Sequence, residues 1–231
     1  MKLGIMQPYF FPYIGYWQLV SAVDSFIIYD NIQYTKKGWF NRNRYLLNGK
    51  DSLFSINLKN DSDFLNVNER FLSPEYKRNK LIAMFQNAYA KAPMYKDVMP
   101  LINKIINYQE ENLFNYIYNS ITELCEYLKI KTNIVISSSV DIDHSLKAEK
   151  KVLAICKKLN AETYINSIGG IELYSKEIFR ECNIELKFIR SKPIDYKQFD
   201  NSFVPGLSIL DIMMFNDKET IINFLNRYEL I

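Results

Sequence analysis

The opening of the chain leaves few folds open: an apolar run at residues 3–6, a turn carrying Pro8 and Pro12, an amphipathic stretch from Gly15, and a second apolar run at residues 26–29. The prolines rule out a regular helix or central strand across the turn, because each removes a backbone donor and fixes φ. Strand, turn, helix and strand within about thirty residues is the size of a βαβ unit, and such units place ligands at the carboxyl ends of their strands. Gln7 and Asp30 fall at those two ends.

Strand and helix patterns alternate again from Thr132. Residues 133–136 and 184–189 are apolar, Tyr164-Ile165 is a short apolar pair, and helical patterns cover about 145–159 and 171–182. Together with the opening unit this predicts an α/β fold on a mainly parallel, Rossmann-like sheet. Between the two parts lies a helical insertion at about 73–129. It starts at Ser73-Pro74-Glu75, restarts near Met99-Pro100, and ends with a stripe of Leu113, Ile117, Ile121, Leu124 and Leu128. The 231 residues, 48% hydrophobic, fit one such domain spanning 1–231.

Charge is concentrated after Asp30. Residues 31–50 hold Lys36, Lys37, Arg42, Arg44 and Lys50 and no acid, against a net charge of +3 for the whole chain. Tyr34, Trp39 and Phe40 are interleaved, a mixture suited to stacking a ring while cations hold phosphate. The stretch reads as a basic loop that clamps an anion. Further on, Ser137-Ser138-Ser139 and Ser167-Ile168-Gly169-Gly170 lie just past strand ends, where small residues let backbone amides approach a ligand. Ser208-Ile209-Leu210-Asp211 has the spacing of a capping box, which makes Asp211 either a helix cap or a ligand group.

Cys125, Cys156 and Cys182 are scattered through helical patterns and read as buried thiols. His144 is the only histidine, so no His-based metal cluster can form, and its setting reads most simply as a polar loop and cap. No apolar run approaches eighteen residues and no signal-peptide pattern opens the chain; a cytoplasmic protein without membrane contact is expected.

Gln7-Pro8-Tyr9-Phe10-Phe11-Pro12-Tyr13-Ile14-Gly15-Tyr16, then Asp24, Tyr29-Asp30, Gln33-Tyr34 and Asn41-Arg42-Asn43, resemble the signature of the WbqC-like proteins of bacterial polysaccharide clusters. Ser137-Ser138, Tyr164, Gly169-Gly170, Tyr174 and residues 205–211 extend the resemblance over nearly the whole chain. It implies work in O-antigen assembly, as an aminoacyl or acyl transferase forming an amide on a nucleotide-linked amino sugar. A more distant resemblance is to nucleotidylyltransferases and pantothenate-synthetase-like ligases (the HUP-like folds), whose turn carries His-x-Gly-His. Here that turn is Tyr13-Ile14-Gly15-Tyr16, with both histidines absent.

Set against these needs, Asp30 is the expected general base, with Gln7 and Asn41 orienting the substrate. Lys36, Arg42 and Arg44 would hold phosphates, and Tyr9, Tyr13 and Tyr16 would wall the sugar. Gly15, Gln33, Ser138, Gly169, Gly170, Tyr174 and Asp211 complete the expected binding set. A nucleotide sugar is the expected partner, aminoacyl-tRNA one possible donor, and no metal or cofactor is called for. The alternatives left open are an ATP-dependent ligase or nucleotidylyltransferase, and a non-catalytic protein binding nucleotide sugar or RNA.

Overall fold

Alternation of side chains along short apolar strands decides how this chain packs. The computed structural model describes residues 1–200 and 202–231. Strand β1 (Lys2–Met6) sends Leu3 and Ile5 into one buried cluster, while Phe26 and Ile28 of β2 (Ser25–Ile28) enter another on the opposite face. A sheet buried on both sides must be covered by helices on both sides. Helix α1 (Ile14–Ser21) joins these strands through a turn in which Phe10 and Phe11 are fully buried.

The next segment corrects the sequence reading. The basic stretch is no loop over its second half: Arg42–Leu47 is strand β3, paired antiparallel with β4 (Lys50–Ser55). Asn48 and Gly49 turn the hairpin with φ of 50° and 76°. Asn-Gly is the pair that tolerates two successive left-handed residues, and so it closes a tight hairpin whose twist matches its strands.

Three helices follow: α2 (Arg78–Tyr89), α3 (Tyr95–Ile106) and α4 (Leu113–Tyr127). Ser73 caps a turn by accepting from Glu75 N (3.1 Å), so α2 begins later than Ser73-Pro74-Glu75 suggested. Pro100 lies inside α3, although the sequence places it at a helix start. Both it and Lys96, whose carbonyl loses its partner, are exposed, so water can satisfy the freed acceptor. These helices make no core of their own. Phe85, Tyr89, Ile102 and Ile117 belong to one continuous buried cluster with Trp17, Phe26 and Met213.

The parallel pattern then returns with β5 (Asn133–Ile136), α5 (Ala148–Lys158), β6 (Thr163–Ser167), α6 (Lys176–Glu181) and β7 (Glu185–Ser191). Residues Ile168–Leu173 form a separate 3-10 segment, so the helix expected over about 171–182 begins later, at Lys176. Helices α7 (Ile209–Phe215) and α8 (Lys218–Leu225) lead to a short edge strand, β8 (Tyr228–Leu230). The six-stranded sheet runs β5-β2-β1-β6-β7-β8, parallel throughout except for β8. Counting only its own strands, the order is 3-2-1-4-5-6, the doubly wound order. Such a sheet opens a crevice where the winding reverses.

Candidate functional site at the sheet switch point

The reversal falls between β1 and β6, and a cleft of about 960 Å³ opens near their carboxyl ends. Gln7 and Tyr9 follow β1, Tyr29 and Asn31 follow β2, and Asn166 and Ser167 close β6. Gly169, Gly170 and Tyr174 come from the segment after β6, and residues 144–148 with Lys151 come from the approach and first turns of α5. Phe64 stands at the mouth, 86% exposed. The volume is at the upper end for a small-molecule site, enough for an extended ligand.

Lys151 is the unusual residue. It is 5% exposed, and its ammonium touches one acceptor, Asn31 Oδ1 at 3.2 Å, and lies 4.9 Å from the Tyr29 ring centre. No carboxylate lies within ion-pair distance among the described residues. Burial pushes its pKa below the ordinary lysine value, and the charge of Asp30 opposes this only in part. A buried lysine without a counter-ion costs stability, and in a cleft such a residue points to function.

An ordered polar chain supports it. Because an ammonium only donates, Asn31 must turn Oδ1 toward Lys151 and Nδ2 toward His144 Nδ1, 3.0 Å away. His144 Nε2 is 3.0 Å from Val140 O, which only accepts, so the imidazole carries its proton on Nε2. His144 therefore does more than the polar loop residue its sequence setting suggested: it fixes the Asn31 amide in the cleft wall. The chain enters α5 through Ala148 with φ 48°, and the preceding Lys147 supplies no side-chain cap.

Charge completes the description. The residues lining the cleft include His144, Lys147 and Lys151 but no aspartate or glutamate. Glu149, in the first turn of α5, is occupied by Ser175 N (2.7 Å). Among the described residues no group of His, Cys, Asp and Glu is arranged to hold a metal ion. The chemistry this favours is binding of an anion.

Comparison with known proteins gives the same extent as the sequence signature. The family model described as the WbqC-like protein family matches residues 7–223. The chain belongs to the WbqC-like protein family. It is also similar to the uncharacterized protein Rv1507c of Mycobacterium tuberculosis, 26% identical over 216 residues and covering 92% of each chain. No solved structure matches.

In this WbqC-like chain the expected site residues divide. Gln7, Tyr9, Gln33, Gly169, Gly170 and Tyr174 line the cleft. Gln7 Oε1 accepts from Tyr9 Oη (2.9 Å), and Gln33 Nε2 donates to Asp63 O (2.9 Å). The others lie outside it. Tyr16 is buried in the core, and Gly15 leaves room for the Tyr13 ring, which a Cβ would meet at 2.5 Å. The Tyr13-Ile14-Gly15-Tyr16 turn thus packs on itself and away from this cleft.

In the basic stretch three of the five cations have partners within the protein. Lys36 pairs with Asp63 (2.9 Å) and Arg44 with Asp51 (3.5 Å). Arg42 donates to the carbonyls of Gly38 and Lys37, and both arginines lie 5.5 Å from the Trp39 ring centre. Asn41 braces the same region, accepting from Tyr34 Oη (3.0 Å) and donating to Ile56 O (2.7 Å). Lys36 and Arg44 are thus paired with carboxylates, while Arg42 is held by carbonyls.

Asp30 has the setting of a structural anchor. It is 2% exposed and accepts from Ser137 Oγ (2.8 Å), Ser138 N (2.9 Å) and Asn68 Nδ2 (2.9 Å). Burial alone would raise its pKa, but the bonds from Ser138, Ser137 and Asn68 prevail and hold it below the ordinary carboxylate value. That makes it a poor proton acceptor. Ser137 Oγ also lies 2.8 Å from Asn31 Oδ1, and its single proton serves only one of the two oxygens at a time.

Asp211 is no helix cap, and it is fully buried. Ser208 makes no side-chain cap, and the Asp211 carboxylate accepts from Tyr89 Oη (2.9 Å), Tyr196 Oη (2.6 Å) and Gln198 Nε2 (2.7 Å). Burial raises its pKa despite these bonds. Cys125 and Cys156 are buried with pKa values pushed up to about 12, so neither is a thiolate at neutral pH.

Sequence reasoning missed Lys151, and a signal was there. Its helix buries Lys151, Val152, Ile155 and Cys156, a lysine within an otherwise apolar stripe.

Proposed function

We propose that the protein transfers an acyl or aminoacyl group to the amino group of a nucleotide-linked amino sugar during bacterial polysaccharide assembly. The observation that carries this reading is the cleft itself: it lies at a switch point, has room for an extended ligand, and bears lysines without acids. Tyr9, Tyr29 and Tyr174 supply faces for rings, while Gln7, Asn31 and Asn166 supply groups to fix hydroxyls.

The absence of acids favours the chemistry. With no carboxylate in the cleft lining to hold a sugar ammonium, the substrate amine is presented as the neutral nucleophile. Its nitrogen attacks the carbonyl carbon of an activated acyl donor: an aminoacyl ester, an acyl phosphate or an acyl adenylate. The new C–N bond forms, the bond to the donor's leaving group breaks, and the proton shed by the nitrogen leaves with that group. A HUP-like kinship would place ATP chemistry on the β1–α1 turn. Tyr13 and Tyr16 carry no permanent charge there and lie outside the cleft, so the proposed step draws nothing from those two residues.

The test is an incubation of pure protein with UDP-linked amino sugars and each donor class, read by mass spectrometry. Formation of the amide on the sugar nitrogen is expected. Failure of every nucleotide sugar to raise the melting temperature would remove the substrate class altogether.

A further inference from the structure

We infer that the start of α5, with Lys151 and Lys147, is a pyrophosphate subsite of the cleft. This deepens the nucleotide-sugar reading and rests on it. It assigns the phosphates to a place that neither the basic stretch nor the β1–α1 turn provides.

The argument begins with what Lys151 lacks. An ammonium has three donors, and this one uses a single neutral acceptor, Asn31 Oδ1. Its nearest charged influence, Asp30, is outside ion-pair distance and already accepts three hydrogen bonds. Glu149, the acid on the same turn, is held by Ser175 N. A cation so buried is retained at a cost, and an external anion is the partner that would offset it. Lys147 is exposed in the same cleft, with no ion pair among the described residues.

Competing phosphate sites are already filled. Lys36 and Arg44 have carboxylate partners and Arg42 has carbonyls, while the turn after β1 is packed with the buried rings of Phe10 and Phe11. The free amides at the start of an eleven-residue helix add a favourable dipole, so two phosphates meet both lysines and backbone donors. Through the Glu149–Ser175 bond this turn is tied to the segment bearing Tyr174. The sugar then extends toward Asn166 and Gly170.

Calorimetric titration with inorganic pyrophosphate tests the subsite without any acyl donor, so a failed transfer assay leaves it standing. The wild type is expected to bind, Lys150→Met to bind equally, and Lys151→Met to bind at least about tenfold more weakly. Without ligand, Lys151→Met should melt at or above the wild-type temperature, because an apolar chain replaces a buried, unpaired charge. Unchanged affinity in Lys151→Met overturns the inference, as does a wild type that binds UDP-linked sugar but no pyrophosphate. A lower melting temperature for Lys151→Met also overturns it, since the ammonium would then serve the fold alone.

Discussion

Replacing Asp30 with asparagine separates an anchor from a catalytic base. Two of the three donors on this carboxylate, Ser137 Oγ and Ser138 N, meet Oδ1, and Asn68 Nδ2 meets Oδ2. Asparagine keeps an oxygen for the first two as weaker neutral bonds, and Asn68, whose buried Oδ1 has no partner, can turn that oxygen toward the new NH2. The loss of charge assistance at all three bonds should cost about 2–4 kcal/mol. Against a typical total of about 5–15 kcal/mol, this is measurable by urea denaturation. The pH dependence has a definite sign. Because the folded-state pKa lies below the unfolded value near 3.8, the carboxylate's contribution is fully present above that value and disappears as pH falls through the folded-state pKa. Asp30→Asn should remove this part of the acid destabilisation. A variant as stable as wild type at pH 7 that has lost its turnover would refute the anchor and restore Asp30 as base.

Other substitutions probe the remaining assignments. Arg42→Ala should leave nucleotide-sugar affinity unchanged, measured calorimetrically, since its guanidinium serves Gly38 O and Lys37 O; a tenfold loss would return the clamp to the basic stretch. Asp211→Ala should cost about 3 kcal/mol or more in denaturant melts, because Tyr196 Oη and Gln198 Nε2 lose their buried acceptor. Gly170→Ala should weaken sugar binding, because its Cβ would come within 2.8 Å of Asn166 Nδ2, whereas Gly169→Ala meets no atom within 4 Å and should fold and melt as wild type.

Local patterns carried the sheet and little of the site. The strands β1, β2, β5, β6 and β7 are apolar runs whose burial follows from alternation, and they stand within a few residues of their sequence positions. The hairpin was legible too, through Asn48-Gly49, but the row of positive charges around it drew attention to a loop. What could not be read locally is pairing at a distance. Asp51 and Asp63 lie just beyond the acid-free stretch and neutralise Arg44 and Lys36. Asp30 finds its donors at Asn68, Ser137 and Ser138, and Asp211 finds Tyr89 far earlier in the chain. Such contacts turn acids that resemble catalysts into braces. Lys151 shows the reverse: a commonplace residue on an amphipathic helix becomes distinctive once the fold denies it a counter-ion.

Hydrogen–deuterium exchange of the wild-type protein, with and without a saturating UDP-linked amino sugar, locates the ligand without assuming any catalytic step. Peptides covering residues 144–151 and 166–174 are expected to gain protection, while those covering 34–44 exchange unchanged. Protection confined to 34–44 would place the ligand on the basic stretch and contradict the cleft.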